Sequence, residues 1–217
     1  MTLVVLDLFA GTGSSTQAFA DRGHKVVRVE LDPQHEAELH ADVSRLLTTQ
    51  VFDLCGGEPD FIWASPPCTC FSVASIGHYW ERGETSVRPK HPDALAAQEL
   101  VLATLELIRN LVPHFWLMEN PRGMLRKMPF MAQYPRTTVT YCQYGDTRMK
   151  PTDLWGRMPW GWRPRPACKN GAPCHTPAPR GSRTGTQGIV GSVDRSRVPY
   201  ELSLEICTQI EAALCLT

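Results

Sequence analysis

The chain has 217 residues, of which 42% are hydrophobic, with eight cysteines and a formal net charge of zero. That is enough for one substantial domain with a small appendage and too little for a multi-domain enzyme. The zero charge argues against a polyanionic partner only as an average. Between Arg122 and Arg197, fourteen Lys and Arg stand against three acids, Asp146, Asp153 and Asp194, which gives a strong local positive field.

No apolar run approaches the roughly 20 residues of a membrane span, and Met1-Thr2-Leu3 leads into a strand pattern without a basic leader. The expectation is a cytoplasmic chain with no membrane partner and with reduced thiols. In chain order, residues 3–8 form a nearly unbroken apolar run ending in a glycine loop, the pattern of a central parallel strand covered on both faces. A helix follows, with Ser14 or Ser15 as its cap, Ala18 and Phe19 inward and Gly23 at its end. Residues 25–31, 60–64 and 114–119 read as further buried strands. Residues 93–111 carry an amphipathic stripe of Leu100, Ala103, Leu107 and Leu111. This alternation predicts an α/β fold with a mostly parallel sheet and helices on both faces. Residues 136–142 read as a strand. The Pro, Gly and Arg-rich stretch 151–188 has little means to build a core, and residues 200–214 return to helical periodicity and pack back on the first domain.

The chemistry sits where strands end. Asp7-Leu8-Phe9-Ala10-Gly11-Thr12-Gly13 lets backbone approach a ligand at the strand ends, and Glu30, about twenty residues on, suits a ribose diol. Together they predict a nucleoside-containing cofactor. Asp42 is either an acceptor for an adenine amino group or a helix-boundary residue. Ser65-Pro66-Pro67-Cys68 holds a thiol at the sheet's carboxyl edge on a stiffened backbone. Glu119-Asn120-Pro121 ends another buried strand, so parallel geometry lets Cys68 and Glu119 face one pocket.

These segments, in this order, resemble the cytosine-carbon-5 DNA methyltransferase family over residues 1–125. The resemblance implies a Rossmann-like fold that uses S-adenosylmethionine as cofactor and double-stranded DNA as partner. It also implies Cys68 as the nucleophile on carbon 6 of a flipped cytosine, with Glu119 at ring nitrogen 3. Phe9 would pack on the adenine, Glu30 would hold the ribose, and Asp7, Gly11, Thr12, Gly13, Asp42 and Pro66 would complete the cofactor site. Residues 141–150 are similar to the family's Gln-x-Arg-x-Arg region but depart in spacing and in having Lys150. Arg148 is carried over as the group that orients the cytosine carbonyl or a phosphate. Residues 191–199 resemble the last motif without its Gly-Asn-Ser. Arg195 and Arg197 stand there instead, which raises the alternative of carboxy-S-adenosylmethionine and carboxymethyl transfer.

The organisation expected is a catalytic domain over 1–150, a reduced recognition segment over 151–190 and a closing motif and helix over 191–217. DNA contacts are assigned to Ser72 and His78 on a glycine-hinged lid over 71–91, to Arg122 and Lys150, and to Arg180, Arg183 and Thr186. His78 and Trp80 are candidates to fill the vacated base stack. So short a recognition segment implies a short or relaxed target, and the economy of length suggests a mobile or viral genome. A monomer is expected. No metal is assigned: Cys168, Cys174 and His175 lack paired Cys-x-x-Cys spacing and an evident fourth ligand. Ser65 and Cys68 argue against an exocyclic amino-methyltransferase. An RNA cytosine methyltransferase and a non-catalytic DNA-binding module remain as alternatives.

Overall fold

The computed structural model describes residues 1–83, 87–169, 171–177 and 191–215. In chain order the elements are β1 (Val4–Leu8), α1 (Gln17–Asp21), β2 (Lys25–Glu30), β3 (Leu39–His40), α2 (Thr48–Cys55), β4 (Phe61–Ala64) and α3 (Ile76–Tyr79). There follow β5 (Trp80–Arg82), β6 (Val87–Pro89), α4 (Pro92–Leu111), β7 (Phe115–Pro121), β8 (Arg136–Thr140), β9 (Pro151–Arg157), α5 (Ser192–Ser196) and α6 (Tyr200–Cys215). Seven strands form one sheet in the order β3-β2-β1-β4-β7-β9-β8. The pairings from β3 through β7 are parallel, and β9 runs antiparallel to both β7 and β8. This is the Rossmann-like arrangement that the alternation of strands and helices implies.

The central strands are apolar throughout because successive side chains point to opposite faces and both faces are covered. Leu6, Leu8, Ile62 and Ala64 pack against α2 and α4 through Val51, Leu105 and Ile108. Val5, Phe61 and Trp63 pack on the other side with Phe19 of α1 and with Leu202, Ile206 and Ile210 of α6. Burial of each such aliphatic side chain stabilises the fold by about 1.5–3 kcal/mol, which is what returns the C-terminal helix to the sheet. Ser203 fixes its register: its hydroxyl donates to the Ser15 carbonyl at 2.7 Å and accepts from the Ala18 N–H at 3.4 Å.

Three sequence readings change. The first helix is only Gln17–Asp21, and neither Ser14 nor Ser15 caps it; Thr16 occupies the cap position without a side-chain bond. The strand over 136–142 stops at Thr140, and Tyr141–Tyr144 tightens into a 3-10 turn. Most consequentially, Pro151–Arg157 is a strand of the main sheet, so the expected boundary at 150 falls just before β9. Pro151 stands at the first strand position, where its missing N–H costs least. Asp153 looks like a loop residue in sequence, yet it is fully buried and paired with Arg126 and Thr138. Gly156 is required there, because a Cβ would lie 2.2 Å from the Trp116 carbonyl oxygen on β7.

Among the described residues no helix is long and apolar enough to cross a membrane. The segment read as a lid includes, among its described residues, α3 and the antiparallel pair β5 and β6. Its anchor is Trp80, which is 3% exposed, stacks on Phe71 and donates to the Cys70 carbonyl at 2.6 Å. Trp80 is therefore a core residue and is not available to fill a base stack.

Candidate active site

β4 and β7 are parallel neighbours with Ala64 opposite Met118, so the loop carrying Cys68 and the end carrying Glu119 leave the same rim of the sheet. Their spacing is fixed by direct links. The Asn120 side-chain amide donates to the Pro66 carbonyl at 2.9 Å, and the Met124 N–H donates to the Phe71 carbonyl at 2.7 Å. The Phe71 and Ser72 N–H groups donate to the Cys68 carbonyl at 3.0 and 2.9 Å, closing a tight turn around the thiol. Gly123 makes this approach possible: a Cβ there would stand 2.1 Å from the Phe71 carbonyl oxygen.

The electrostatics of this rim tie four side chains together. Glu119 is 6% exposed and accepts a hydrogen bond from the fully buried Tyr141 hydroxyl at 2.8 Å. Burial pushes its carboxyl above the ordinary range, with the Lys150 charge and the Tyr141 bond acting in the opposite direction. Burial and then the Glu119 charge push the Cys68 thiol up, while the charges of Lys150 and Arg195 oppose this. The Lys150 ammonium is itself pushed down by burial and held up by Glu119 and Cys68. It donates to the Arg195 carbonyl at 3.0 Å and sits 4.5 Å from the centre of the Tyr141 ring. Its backbone is held at φ 25°, which non-glycine residues rarely adopt, at a cost of order 1–3 kcal/mol.

Arg148 is placed otherwise than the sequence suggests. Its guanidinium is paired with Asp146 and donates to the carbonyls of Asp194 at 2.9 Å and Arg195 at 3.0 Å, and the residue is 6% exposed. With its donors committed, it fastens the 146–150 turn to the segment after Gly191, and Lys150 is the cation that reaches the Cys68 rim. The charge of Lys150 acts on both Cys68 and Glu119.

A cleft of about 890 Å³ opens beside this rim at the carboxyl ends of β1, β2 and β4, where strand order reverses. Phe9, Glu30, Asp42, Pro67 and Leu100 are among its walls. Glu30 is aimed by three backbone donors, Gly11 and Leu31 at 2.8 Å and Asp32 at 3.0 Å. Gly11 takes φ 51° and Gly13 φ 70°, the left-handed geometry that makes this turn a glycine turn around Thr12. Asp42 accepts from the Ser44 N–H and hydroxyl at 2.9 and 2.7 Å, which holds its carboxyl below the usual range. Two sequence assignments move. Pro66 is buried under Asn120, and Pro67 lines the cleft instead. Asp7 is fully buried away from the cleft walls, accepting from the Ser15 and Thr16 hydroxyls at 2.7 Å each, and burial pushes it up to about 6. No Lys or Arg lines this cleft among the described residues, whereas Glu30, Asp32, Asp42 and Glu99 do. That surplus of carboxylates makes the walls of the cleft acidic.

Residues 3–129 match the family model of C-5 cytosine-specific DNA methylases. This chain belongs to that family. Its enzyme class follows: an S-adenosylmethionine-dependent DNA cytosine-5 methyltransferase. A DNA (cytosine-5)-methyltransferase of frog virus 3 (isolate Goorha) is 32% identical over 174 residues, covering 76% of this chain and 78% of the viral one. The type II methyltransferase M.AplI of Arthrospira platensis is 31% identical over 132 residues, which is 58% of this chain but only 33% of that enzyme. Among solved structures, a DNA modification methyltransferase encoded within an E. coli prophage matches 72% of this chain and 47% of its own, with TM-score 0.51 and 19% identity. The Entamoeba histolytica methyltransferase EhMeth matches 79% and 58%, with TM-score 0.50 and 11% identity. At these identities the two structures speak for the fold alone. The methylase thus spans about half the length of these solved relatives and a third of M.AplI.

On the outer face of the methylase, the Ser72 hydroxyl pairs with Ser75 at 2.9 Å, and the exposed His78 ring lies 4.6 Å from Tyr79 and 5.2 Å from His91. Arg122 is exposed just past the end of β7. Arg180, Arg183 and Thr186 lie outside the described residues. Sequence reasoning missed Tyr141 and Asn120, which hold Glu119 and the Cys68 loop. The Asn of Glu119-Asn120-Pro121 was in plain view as part of a motif, but Tyr141 is a long-range partner with no local signal. The fold also supplies what the 168–175 spacing lacks, because Cys142 stands beside Cys168, Cys174 and His175.

Proposed function

We propose that this methylase transfers a methyl group to carbon 5 of a cytosine flipped out of double-stranded DNA, through a transient bond between Cys68 and carbon 6. The observation that carries this reading is the convergence of Cys68, Glu119 and Lys150 on one rim beside an acid-lined cleft. Lys150 stabilises the thiolate form of Cys68, which adds to carbon 6. Glu119 in its acid form donates to ring nitrogen 3 and draws off the electron pair released by the addition, leaving carbon 5 electron-rich. Burial of Glu119 raises its carboxyl and so works in favour of that acid form. S-adenosylmethionine, held by Glu30, Asp42 and Phe9, supplies an electrophilic methyl group when bound. Once carbon 5 has bonded to that methyl group, the donor leaving as a neutral thioether, loss of the carbon 5 proton to a base expels the Cys68 sulfur, and return of the nitrogen 3 proton to Glu119 restores the ring, the acid and the free thiolate. Cys68 is half-buried at the rim, and a ring carbon inside a duplex reaches such a thiol only when the base leaves its stack.

The test is transfer from methyl-labelled donor to matched duplex DNA and RNA, followed by digestion and mass measurement of the nucleosides. The reading requires 5-methyldeoxycytidine from DNA. Label confined to RNA, a product heavier by a carboxyl group with a carboxylated donor, or DNA binding without transfer would each replace it.

A further inference from the structure

We propose that Cys142, Cys168, Cys174 and His175 form a structural zinc site that fastens the segment after β9 to the catalytic sheet. The four ligand atoms lie within 4.8 Å of one another. The Cys168 and Cys174 sulfurs are 3.2 Å apart, and the His175 Nδ1 is 3.4 Å from the first and 3.7 Å from the second. A tetrahedral zinc with bonds of about 2.3 Å to sulfur and about 2.0–2.1 Å to nitrogen sets its ligands roughly 3.6–3.8 Å apart. The separations among Cys168, Cys174 and His175 are within about half an ångström of these values, and the 4.8 Å limit on the whole cluster leaves about one ångström at most for Cys142 to close. Three sulfurs and one imidazole are the donor set of a closed structural zinc centre, with no position left for a reacting molecule.

Two further observations point to a ligand here. His175 is the only buried residue among the described residues from 163 to 177, so this stretch has almost no apolar core to hold it. A metal supplies such a segment with the cohesion that its composition denies it. The buried ring makes no hydrogen bond through Nε2 among the described residues, and its other nitrogen faces only thiols. Two thiols are thus the ring's hydrogen-bonding partners among the described residues. The backbone is already pre-set on both sides of the cluster: the Cys168 N–H donates to the Thr140 hydroxyl at 2.9 Å, and the Thr176 N–H donates to the Thr147 carbonyl at 2.9 Å. Binding Zn²⁺ through three thiolates and a neutral imidazole releases three protons to water and leaves the site with one net negative charge.

The position gives the site a consequence beyond stapling. Cys142 directly follows Tyr141, whose hydroxyl holds Glu119. The ion thus anchors the turn that orients the buried carboxylate.

The test uses the full chain. Metal content of the purified protein, measured by plasma mass spectrometry, should be one zinc per chain. Cobalt exchange should give the intense visible bands of a tetrahedral centre together with sulfur-to-cobalt charge transfer. Cys174→Ser, at an exposed position outside the cores that flank the sheet, should lose its zinc on dialysis against a chelator that leaves the unaltered chain loaded. Cys215→Ser, at another exposed cysteine, should keep it. A folded chain without zinc, a Cys168–Cys174 disulfide in its peptide map, an octahedral cobalt spectrum, or a Cys174→Ser chain that retains zinc as firmly as the parent would each overturn the proposal.

Discussion

Replacing Tyr141 with Phe removes one hydroxyl and little else, and its effect on Glu119 is calculable. The Tyr141 hydroxyl donates to the Glu119 carboxylate at 2.8 Å in a site where both residues are buried. A hydrogen bond to a charged group contributes about 1.5–3 kcal/mol, and one pKa unit corresponds to about 1.4 kcal/mol. Burial already raises the Glu119 carboxyl, and this bond is one of two influences that lower it. Tyr141→Phe should therefore raise the Glu119 titration midpoint by roughly 1–2 units. The acid form is favoured over a wider pH range, but its orientation is lost, so kcat falls even as the midpoint climbs. The midpoint can be read from the carboxyl carbon resonance of glutamate-labelled protein, assigned by its disappearance in Glu119→Gln. A midpoint that stays put or moves down would refute the claim that Tyr141 acts on the ionised carboxylate.

Other perturbations test the scaffold and its charges. Gly123→Ala brings a methyl group onto the Phe71 carbonyl and should cost about 1–3 kcal/mol in urea unfolding, with the Cys68 loop displaced; unaltered stability contradicts the close approach. Lys150→Met removes the cation that opposes the burial of Cys68, so the pH at which iodoacetamide alkylates Cys68 should rise by about one unit. No shift, or a downward one, would separate Lys150 from the thiol. Asp7 rises on folding from 3.8 to about 6, so the folded state holds its proton longer than the unfolded state does. Its contribution is therefore most favourable below the unfolded pKa and is lost as pH rises through about 6, by about 3 kcal/mol in all. Asp7→Asn should flatten urea stability between about pH 4 and 7, and parallel curves for the two proteins would count against the assignment.

The sequence discloses the parts of this fold that depend on local pattern. Continuous apolar runs marked β1, β4 and β7, and a stripe at helical spacing marked α4, because burial on both faces or on one leaves that signature directly. The Cys68 and Glu119 rim was legible for the same reason: parallel neighbours deliver their ends to one edge. What stayed hidden depends on contacts between distant residues. Asp153 in β9 breaks the strand pattern, and its pairing with Arg126 and Thr138 makes its burial tolerable. Arg148 and Lys150 are two residues apart and alike in charge, so nothing in the sequence tells which one turns inward; the answer lies in Asp146 and the carbonyls near Arg195. Cys142 is 26 residues before Cys168, and the fold of β8 back against the later segment is what makes it a fourth ligand.

The central claim is that a sulfur of this chain bonds to the cytosine ring during transfer. Duplex DNA containing 5-fluorocytosine, incubated with the methylase and S-adenosylmethionine, tests it directly, because the fluorine at carbon 5 cannot leave as a proton does. The account predicts a denaturation-stable protein–DNA adduct whose peptide map places the link on Cys68 and which Cys68→Ser does not form. Methylation of ordinary cytosine with no adduct on the fluorinated duplex, or an adduct on a different residue, would contradict it.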